Sequence, residues 1–237
     1  MKIEKAIHNI VTLLLEIFCM ILFFFMSFLI YDTYMVEKSA LNDSYENLDP
    51  AINEETGEID ISALQEINPD VIGWLTIDGT NINYPVLQGD LNYSYLNRDM
   101  EGNSSLTGSL YISYSANRYF EDDYTIIFGH HINGGAMFGS LDYFEDEEFL
   151  NEHLTGTLIT ENKVYDLHIQ ALFHTDAYSS VYQYNNIENL NEFLNSDELT
   201  LISGSLTNIS NKVLLLSTCA ANGSTERIIL IINMEEI

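Results

Sequence analysis

Short apolar runs separated by turn residues recur from Gly73 onward, and they restrict the fold more than any other feature of the chain. The Asp78-Gly79 and Asn222-Gly223 steps are turn signals between runs. About eight short strands without long helices between them predict a closed β-barrel or a β-sandwich. The runs cover residues 74–77, 82–86, 106–112, 125–128, 157–159, 164–173, 213–217 and 227–232.

Helical patterns interrupt the strands at two places. Residues 145–153 form one, and residues 187–196 form the other, which places three aliphatic side chains on one face. Ahead of the strands, Ser62 followed by Gln65 is a capping-box pattern that predicts a short helix. We therefore predict a mainly β domain with short N-terminal helices and a helix inserted before the last two strands.

The beginning of the chain has a different composition. Residues 10–31 are almost wholly apolar, and as an α-helix of about 1.5 Å per residue they would be roughly 33 Å long, enough to cross a bilayer. Lys2 and Lys5 precede this run, which favours a cytoplasmic N-terminus. A cleaved signal peptide is the alternative, but its apolar core is usually about 7–15 residues long. An uncleaved anchor is the favoured interpretation.

Charge is concentrated in the remainder of the chain. The whole sequence has a formal net charge of −28, and the 206 residues after residue 31 hold six Lys and Arg against 34 Asp and Glu. A surface of this kind repels nucleic acid and other anionic polymers. We therefore expect no nucleic-acid partner. The predicted regions are a cytoplasmic N-terminus (1–9), a transmembrane anchor (10–31), a juxtamembrane linker (32–58) and one exported domain (59–237).

The chain has two cysteines, and only one lies in the exported domain. Cys19 falls within the predicted membrane span, so Cys219 has no disulfide partner in its own domain. An unpaired thiol outside the cell is a candidate reactive residue. A buried, inert cysteine is the alternative.

Two other groups suited to acyl transfer lie at the edges of predicted strands. Gly129-His130-His131 follows one strand, and Arg227 opens another, eight residues after Cys219. On a single strand, eight residues would separate Cys219 from Arg227 by about 26 Å, so the two can meet only if residues 220–226 turn the chain back. A thiol can then act as nucleophile, an imidazole can transfer protons, and a guanidinium can stabilise an oxyanion.

The His130-His131 pair could also suggest a metal site. Adjacent side chains on a strand point to opposite faces, and no nearby cysteine or acidic cluster completes a closed set of ligands. We predict no metal and no cofactor.

Several segments occur in an order that resembles the class B sortases, membrane-anchored cysteine transpeptidases of Gram-positive bacteria. The resemblance runs from about Ile67 to Asn233 and is carried by residues 68–75, 80–88, 129–131, 137–138 and 216–219 together with Arg227. It implies a closed sortase-type barrel of about eight strands. It also implies that Cys219 is the nucleophile, that His130, directly after a glycine, transfers protons, and that Arg227 stabilises the oxyanion.

The resemblance further implies a groove for a sorting signal, with residues 175–184 as the covering segment. The candidate groove residues are Asn83, Leu87, Ser217 and Tyr182. The implied reaction cleaves a Pro- and Thr-containing C-terminal motif of secreted proteins after the threonine, through a thioester, and transfers them to a cell-wall peptide amine. Alternatives are a pilin polymerase that uses a pilin lysine, a non-catalytic wall-associated barrel, and simple proteolysis.

Overall fold

The structure is a computed structural model that describes residues 2–42, 59–183, 186–219 and 224–237. Its contacts divide the chain into two units, Met1–Ser39 and Ala40–Ile237. The first unit is helical, because α1 extends over Lys2–Asn42. Within it, Ile3–Met35 has a mean hydropathy of 2.7 over its most apolar window and buries none of that window.

Helix α1 is long and apolar enough to cross a membrane, although a signal sequence near the N-terminus can have the same length and composition. The helix continues beyond the predicted anchor, so residues 32–42 of the predicted linker are helical. Residues 43–58 of that linker lie outside the described residues.

After residues 43–58, the first helix described in the second unit is the short α2, Ile61–Ile67. The predicted helix is present, but its N-cap is Asp60 rather than Ser62. A carboxylate oxygen of Asp60 accepts hydrogen bonds from the backbone N–H groups of Ser62, at 2.9 Å, and Ala63, at 3.2 Å. Because one carboxylate satisfies two of the free N–H groups at the start of the helix, the helix begins earlier than the sequence pattern indicated.

The described residues after α2 form nine strands, with further short helices between them. The strands are β1 Val71–Ile77, β2 Asn83–Leu87, β3 Leu110–Ile112, β4 Tyr124–Phe128, β5 Thr155–Thr160, β6 Val164–Asp176, β7 Leu199–Gly204, β8 Val213–Cys219 and β9 Glu226–Glu236. The helices are a 3-10 turn at Gly139–Glu145, α3 at Glu147–Glu152, a 3-10 turn at Ser180–Tyr182 and α4 at Ile187–Leu194.

Eight of these strands close into a barrel, which confirms the predicted fold. Their order is β5-β1-β2-β3-β4-β8-β9-β6, and β5 pairs with β6 to complete the ring. The first part of the long strand β6 pairs with β5 and closes the barrel. The second part of β6 pairs with β7. The predicted strands did not include β7, which lies outside the ring and buries only Ser203. Its apolar run, Leu199 to Ile202, is too short to be assigned to a strand by periodicity alone. Helix α4 therefore precedes three strands rather than two.

The barrel interior is filled by side chains from every strand of the ring. Leu75, Ile127, Leu158, Leu172 and Leu230 are completely buried there. Two smaller apolar clusters lie on the outer face of the sheet. One, which includes Trp74, Leu87 and Tyr111, packs under α2, and the other, which includes Phe173, Leu190 and Phe193, packs under α4.

Candidate functional site

The β8–β9 pairing brings Cys219 and Arg227 to the same end of the barrel. The antiparallel register runs from Val213↔Asn233 to Cys219↔Arg227. Paired residues on antiparallel strands have Cα atoms about 5 Å apart, compared with about 26 Å along one strand. The turn predicted between them therefore joins the two strands. Residues 220–223 of this turn, and the side chain of Cys219, lie outside the described part of the structure.

His130 reaches the same end of the barrel from the neighbouring strand. Strands β4 and β8 are parallel, with Phe128 opposite Ser217, and the backbone N–H of Gly129 donates to the carbonyl of Ser217 at 3.2 Å. When this register is continued by two residues beyond Phe128 and Ser217, the backbone of His130 is level with that of Cys219. The three candidate catalytic residues thus come from the ends of three adjacent strands, β4, β8 and β9.

The two adjacent histidines have different partners. Nε2 of His130 lies 2.7 Å from the carbonyl oxygen of Leu96. Nε2 of His131 lies 2.8 Å and 2.9 Å from the two carboxylate oxygens of Asp142, in the 3-10 turn after β4. Among the described residues, no group of three or more His, Cys, Asp or Glu side chains is arranged to hold a metal ion. The ring of His131 is therefore held by the carboxylate of Asp142, whereas His130 lies at the rim.

Arg227 is half-buried and is held by its own turn. Its Nη1 donates to the carbonyl oxygens of Ser224, at 2.8 Å, and Glu226, at 3.0 Å. A guanidinium has three further N–H groups in the same plane, which suits it to bind a carbonyl oxygen or an oxyanion. On the side away from Cys219, Arg227 pairs with Thr175 of β6. The predicted covering segment therefore leaves the barrel directly beside Arg227.

Asp176 fastens the beginning of that covering segment. Its carboxylate accepts a hydrogen bond from the backbone N–H of Tyr178 at 2.9 Å. This bond, a second one from the hydroxyl of Thr225 and the positive charge of Arg227 lower the pKa of Asp176. The backbone N–H of Ala177 also donates to the carbonyl of Thr225 at 2.7 Å, so the segment is tied to the β8–β9 turn.

A row of aromatic rings connects three of the four predicted groove residues. The rings of Tyr111 and Phe128 stack with centroids 5.6 Å apart, and those of Phe128 and Tyr182 stack at 6.1 Å. The Tyr182 hydroxyl lies 2.8 Å from the hydroxyl of Ser217, two residues before Cys219. Leu87 is completely buried and pairs with Tyr111 across the sheet. The rings therefore run from the barrel wall to the covering segment.

A cavity of about 290 Å³ opens beside Phe128 and Tyr182. Tyr124 lies on its wall and donates from its hydroxyl to the carbonyl of Val181 at 3.0 Å. Burial raises the pKa of Tyr124 to about 12, so the phenol stays protonated and can donate. The cavity thus lies between strand β4 and the covering segment, and this buried hydrogen bond joins the two.

Asn83 is placed apart from the other predicted groove residues. It is the first residue of β2, and its Oδ1 accepts from Trp74 Nε1 at 2.6 Å and from Thr76 Oγ1 at 3.0 Å. Leu87 is four positions further along the strand, at a distance of about 13 Å. Asn83 thus lies on the same outer face as Trp74, toward the other end of β2.

Three residues of the site did not emerge from the sequence. Tyr111 and Phe128 fall within predicted strands, and their rings form the floor of the aromatic row. Leu96 contributes a backbone carbonyl, which has no signature in the residue type. A row of aromatic residues at strand ends was the only available signal for the first two.

Two known proteins with similar sequences are both sortase B. No protein-family model matches the chain. Sortase B of Listeria monocytogenes is 30% identical over 185 residues, which cover 76% of this chain and 75% of the relative. Sortase B of Staphylococcus aureus is 28% identical over 175 residues, which cover 71% of this chain and 72% of the relative.

Solved structures share the barrel. A Staphylococcus aureus sortase B–substrate complex superposes with a TM-score of 0.67 at 27% identity, covering 75% of this chain and 85% of that one. A sortase B complexed with triglycine gives 0.66 at 27% identity, covering 74% and 85%. A Streptococcus pyogenes class B sortase involved in pilus biogenesis gives 0.63 at 34% identity, covering 73% and 97%. In all three, the similarity extends over about three quarters of the present chain.

Proposed function

This chain belongs to the class B sortase family of cysteine transpeptidases, and we propose that it attaches secreted proteins to the cell wall through Cys219, His130 and Arg227. The observation that carries the assignment is the strand register. It brings the ends of β4, β8 and β9, and with them these three residues, to one rim of the barrel.

In the first half of the proposed reaction, the thiolate of Cys219 attacks the threonyl carbonyl carbon of a Pro- and Thr-containing sorting motif. A carbon–sulfur bond forms, and the carbonyl electron pair moves to oxygen, where the Arg227 guanidinium donates hydrogen bonds. The carbon–nitrogen bond then breaks, and His130 gives its proton to the departing amine. The threonyl group remains on Cys219 as a thioester.

In the second half, an acceptor amine attacks the thioester. A carbon–nitrogen bond forms, the thiolate leaves, and the proton of the attacking amine passes to His130. The sulfur and the imidazole thereby return to their starting charges. No external oxidant or reductant and no cofactor enters this sequence.

We assign binding of the sorting motif to the groove beside Tyr182 and Ser217. Leu87 is packed behind the aromatic floor of this groove, and Asn83 lies at its far end. The stacked rings of Phe128 and Tyr182 offer a flat apolar surface, and the paired hydroxyls of Tyr182 and Ser217 offer hydrogen bonds. The similarity to a sortase B–substrate complex supports a peptide ligand of this class.

The acceptor is proposed to be an amine of a cell-wall precursor peptide, which the similarity to a sortase B complexed with triglycine supports. A pilin lysine is the second candidate, since a relative at 34% identity is involved in pilus biogenesis. Supplying triglycine and a lysine-bearing pilin peptide together, and identifying the product by mass spectrometry, separates the two. Water as acceptor would give simple proteolysis.

We propose that α1 anchors the enzyme in the cell membrane once, through residues 10–31, with residues 1–9 in the cytoplasm and the catalytic domain at 59–237 outside. The 33-residue apolar segment Ile3–Met35 supports a membrane span. The two lysines before residue 10 support the orientation.

The test of the assignment is capture of the thioester. The full-length chain in detergent is incubated with a library of sorting-signal peptides, and the acyl-enzyme is measured by intact mass spectrometry. We expect an adduct on the parent chain and on the matched control Cys19→Ala, and none on Cys219→Ala. An adduct that persists on Cys219→Ala would refute the assignment, and its absence from the parent chain would favour a non-catalytic barrel.

A further inference from the structure

The carbonyl of Leu96 decides which nitrogen of His130 can exchange a proton. This oxygen lies 2.7 Å from Nε2, and a carbonyl oxygen can only accept a hydrogen bond. Nε2 therefore carries a hydrogen in both the neutral and the charged imidazole. We propose that residues 91–98, which we call the Leu96 turn, are a positioning element that holds His130 in the Nε2–H tautomer and so assigns proton transfer to Nδ1. This inference rests on the proposed role of His130.

Backbone hydrogen bonds hold the Leu96 turn on both sides of Leu96. The N–H of Leu96 donates to the carbonyl of Tyr93 at 3.1 Å, within the turn. The N–H of Ser109, just before β3, donates to the carbonyl of Tyr95 at 3.0 Å. The hydroxyl of Ser109 also donates to the carbonyl of Arg98 at 2.9 Å. The turn is thus fixed to the beginning of a barrel strand.

A buried polar network attaches the same turn to the start of β1. Asn68 Nδ2 donates to the hydroxyl of Tyr95 at 2.8 Å, and that hydroxyl donates to the carboxylate of Asp70 at 2.8 Å. Burial raises the pKa of Tyr95 to about 12, so its phenol remains a donor at neutral pH. Tyr95 directly precedes Leu96, and the network therefore fixes the peptide that presents the carbonyl.

Gly108 leaves the space that the Leu96 carbonyl needs. It has φ +59°, and a Cβ atom at this position would overlap the carbonyl oxygen of Leu96 and lie 2.8 Å from that of Tyr95. Any side chain there must push the Leu96 turn away. Gly102, in the same connection between β2 and β3, has φ +86° with nothing within 4 Å of an added Cβ. It is a matched control for the backbone strain alone.

The tautomer matters at two moments of the reaction. When the amine leaves, the hydrogen on Nδ1 passes to it and the ring becomes neutral, while the Nε2–H bond to Leu96 stays intact. When the acceptor amine attacks, Nδ1 takes its proton. A ring that is free to hold its hydrogen on Nδ1 in the neutral state would offer Nε2 for this step, in the wrong position.

The experiment compares Gly108→Ala with Gly102→Ala in the full-length chain. Nitrogen-15 NMR of labelled histidine reports the neutral tautomer of His130, and steady-state kinetics report kcat and KM for a sorting-signal peptide. For Gly108→Ala we expect a mixture of tautomers, a kcat lower by about 10²-fold and a KM within about twofold, because the ring loses its orientation while the groove is unchanged. For Gly102→Ala we expect the parent tautomer and parent kinetics.

A Gly108→Ala protein that keeps the Nε2–H tautomer and a kcat equal to that of Gly102→Ala would overturn the proposal. If circular dichroism shows that Gly108→Ala does not fold, Tyr95→Phe decides, because it keeps the ring and removes only the hydroxyl of the network. A lower kcat with a mixed tautomer then supports the positioning role, and parent values overturn it. The variant His130→Ala tests the premise separately, since activity that survives it contradicts the proposed function itself.

Discussion

The two walls of the cleft are built in different ways. The strand wall consists of β4, β8 and β9, which are joined by continuous hydrogen-bond ladders. The outer face of this wall is buried: Ser217 is only 3% exposed and Ile229 is completely buried. The covering segment from residue 175 onward is held by separate hydrogen bonds and by the buried side chain of Val181, and Tyr178 within it is 81% exposed. The groups proposed for bond making lie at the ends of rigid strands, while the covering segment can adjust to a peptide.

This contrast predicts that changes in the strand wall act on the chemical step and that changes in the covering segment act on peptide binding. We expect the largest effect when the guanidinium of Arg227 is removed, a smaller one when the hydroxyl of Tyr182 is removed, and the smallest when the carboxylate of Asp176 is removed.

The largest effect is expected for Arg227→Ala. Removal of the proposed oxyanion donor should lower kcat by about 10²–10³-fold, because the developing charge loses its hydrogen bonds while the ladder that places Cys219 remains. Acyl-enzyme formation in single-turnover mass spectrometry measures this step. Arg227→Lys should recover only part of the rate, since an ammonium lacks the planar fork. A kcat for Arg227→Ala within about twofold of the parent would remove Arg227 from the mechanism.

A smaller effect is expected for Tyr182→Phe. The stack on Phe128 is retained and only the hydroxyl bonded to Ser217 is lost. This hydroxyl is also proposed to hydrogen-bond the sorting motif, and a neutral hydrogen bond contributes about 0.5–1.5 kcal/mol. KM should therefore rise roughly 2- to 12-fold while kcat changes little. Tyr119→Phe, at a tyrosine that is 57% exposed and lies before β4, is the control. A fall in kcat without a change in KM would contradict the division between the two walls.

The smallest effect is expected at Asp176. Because its pKa is lower in the folded chain than its ordinary value of 3.8, its carboxylate stabilises the fold above pH 3.8. That contribution is lost as the pH falls through the folded-state pKa. Asp176→Asn has no such titration, so the Tm difference between the parent and the variant should be present near neutral pH and shrink below pH 3.8. A difference that grows on acidification would show that the carboxylate destabilises the segment.

Much of the fold could be predicted because the ring strands bury their side chains. The runs at 125–128 and 213–217 fall within β4 and β8 with at most small changes at the ends. Strand β7 is not predicted because its apolar run, Leu199 to Ile202, is short and follows a helical pattern directly, so periodicity alone does not assign it to a strand. The sequence pattern does not identify Asp60 as the N-cap, because Asp60 and Ser62 are both residue types that cap helices. Only the path of the backbone selects between them.

The candidate catalytic residues could be named from their types and order, since thiol, imidazole and guanidinium chemistry belongs to the side chains themselves. Residue types alone could not indicate Leu96, because its contribution is a backbone carbonyl that every residue possesses. Nor could they distinguish the surroundings of Asn83 from those of Leu87, which both lie on β2 but belong to different parts of the outer face.

The sequence by itself determined an apolar N-terminal segment, an acidic domain of short strands and the chemistry available to the single cysteine of that domain. The tertiary structure decided which strands are neighbours, and hence that His130 shares one rim with Cys219, 89 positions later in the chain, and with Arg227, 97 positions later. It also decided the hydrogen-bond partners of His130 and His131. The physical reason is that side-chain chemistry is local, whereas proximity across a closed sheet follows from register and closure, which depend on all the strands at once.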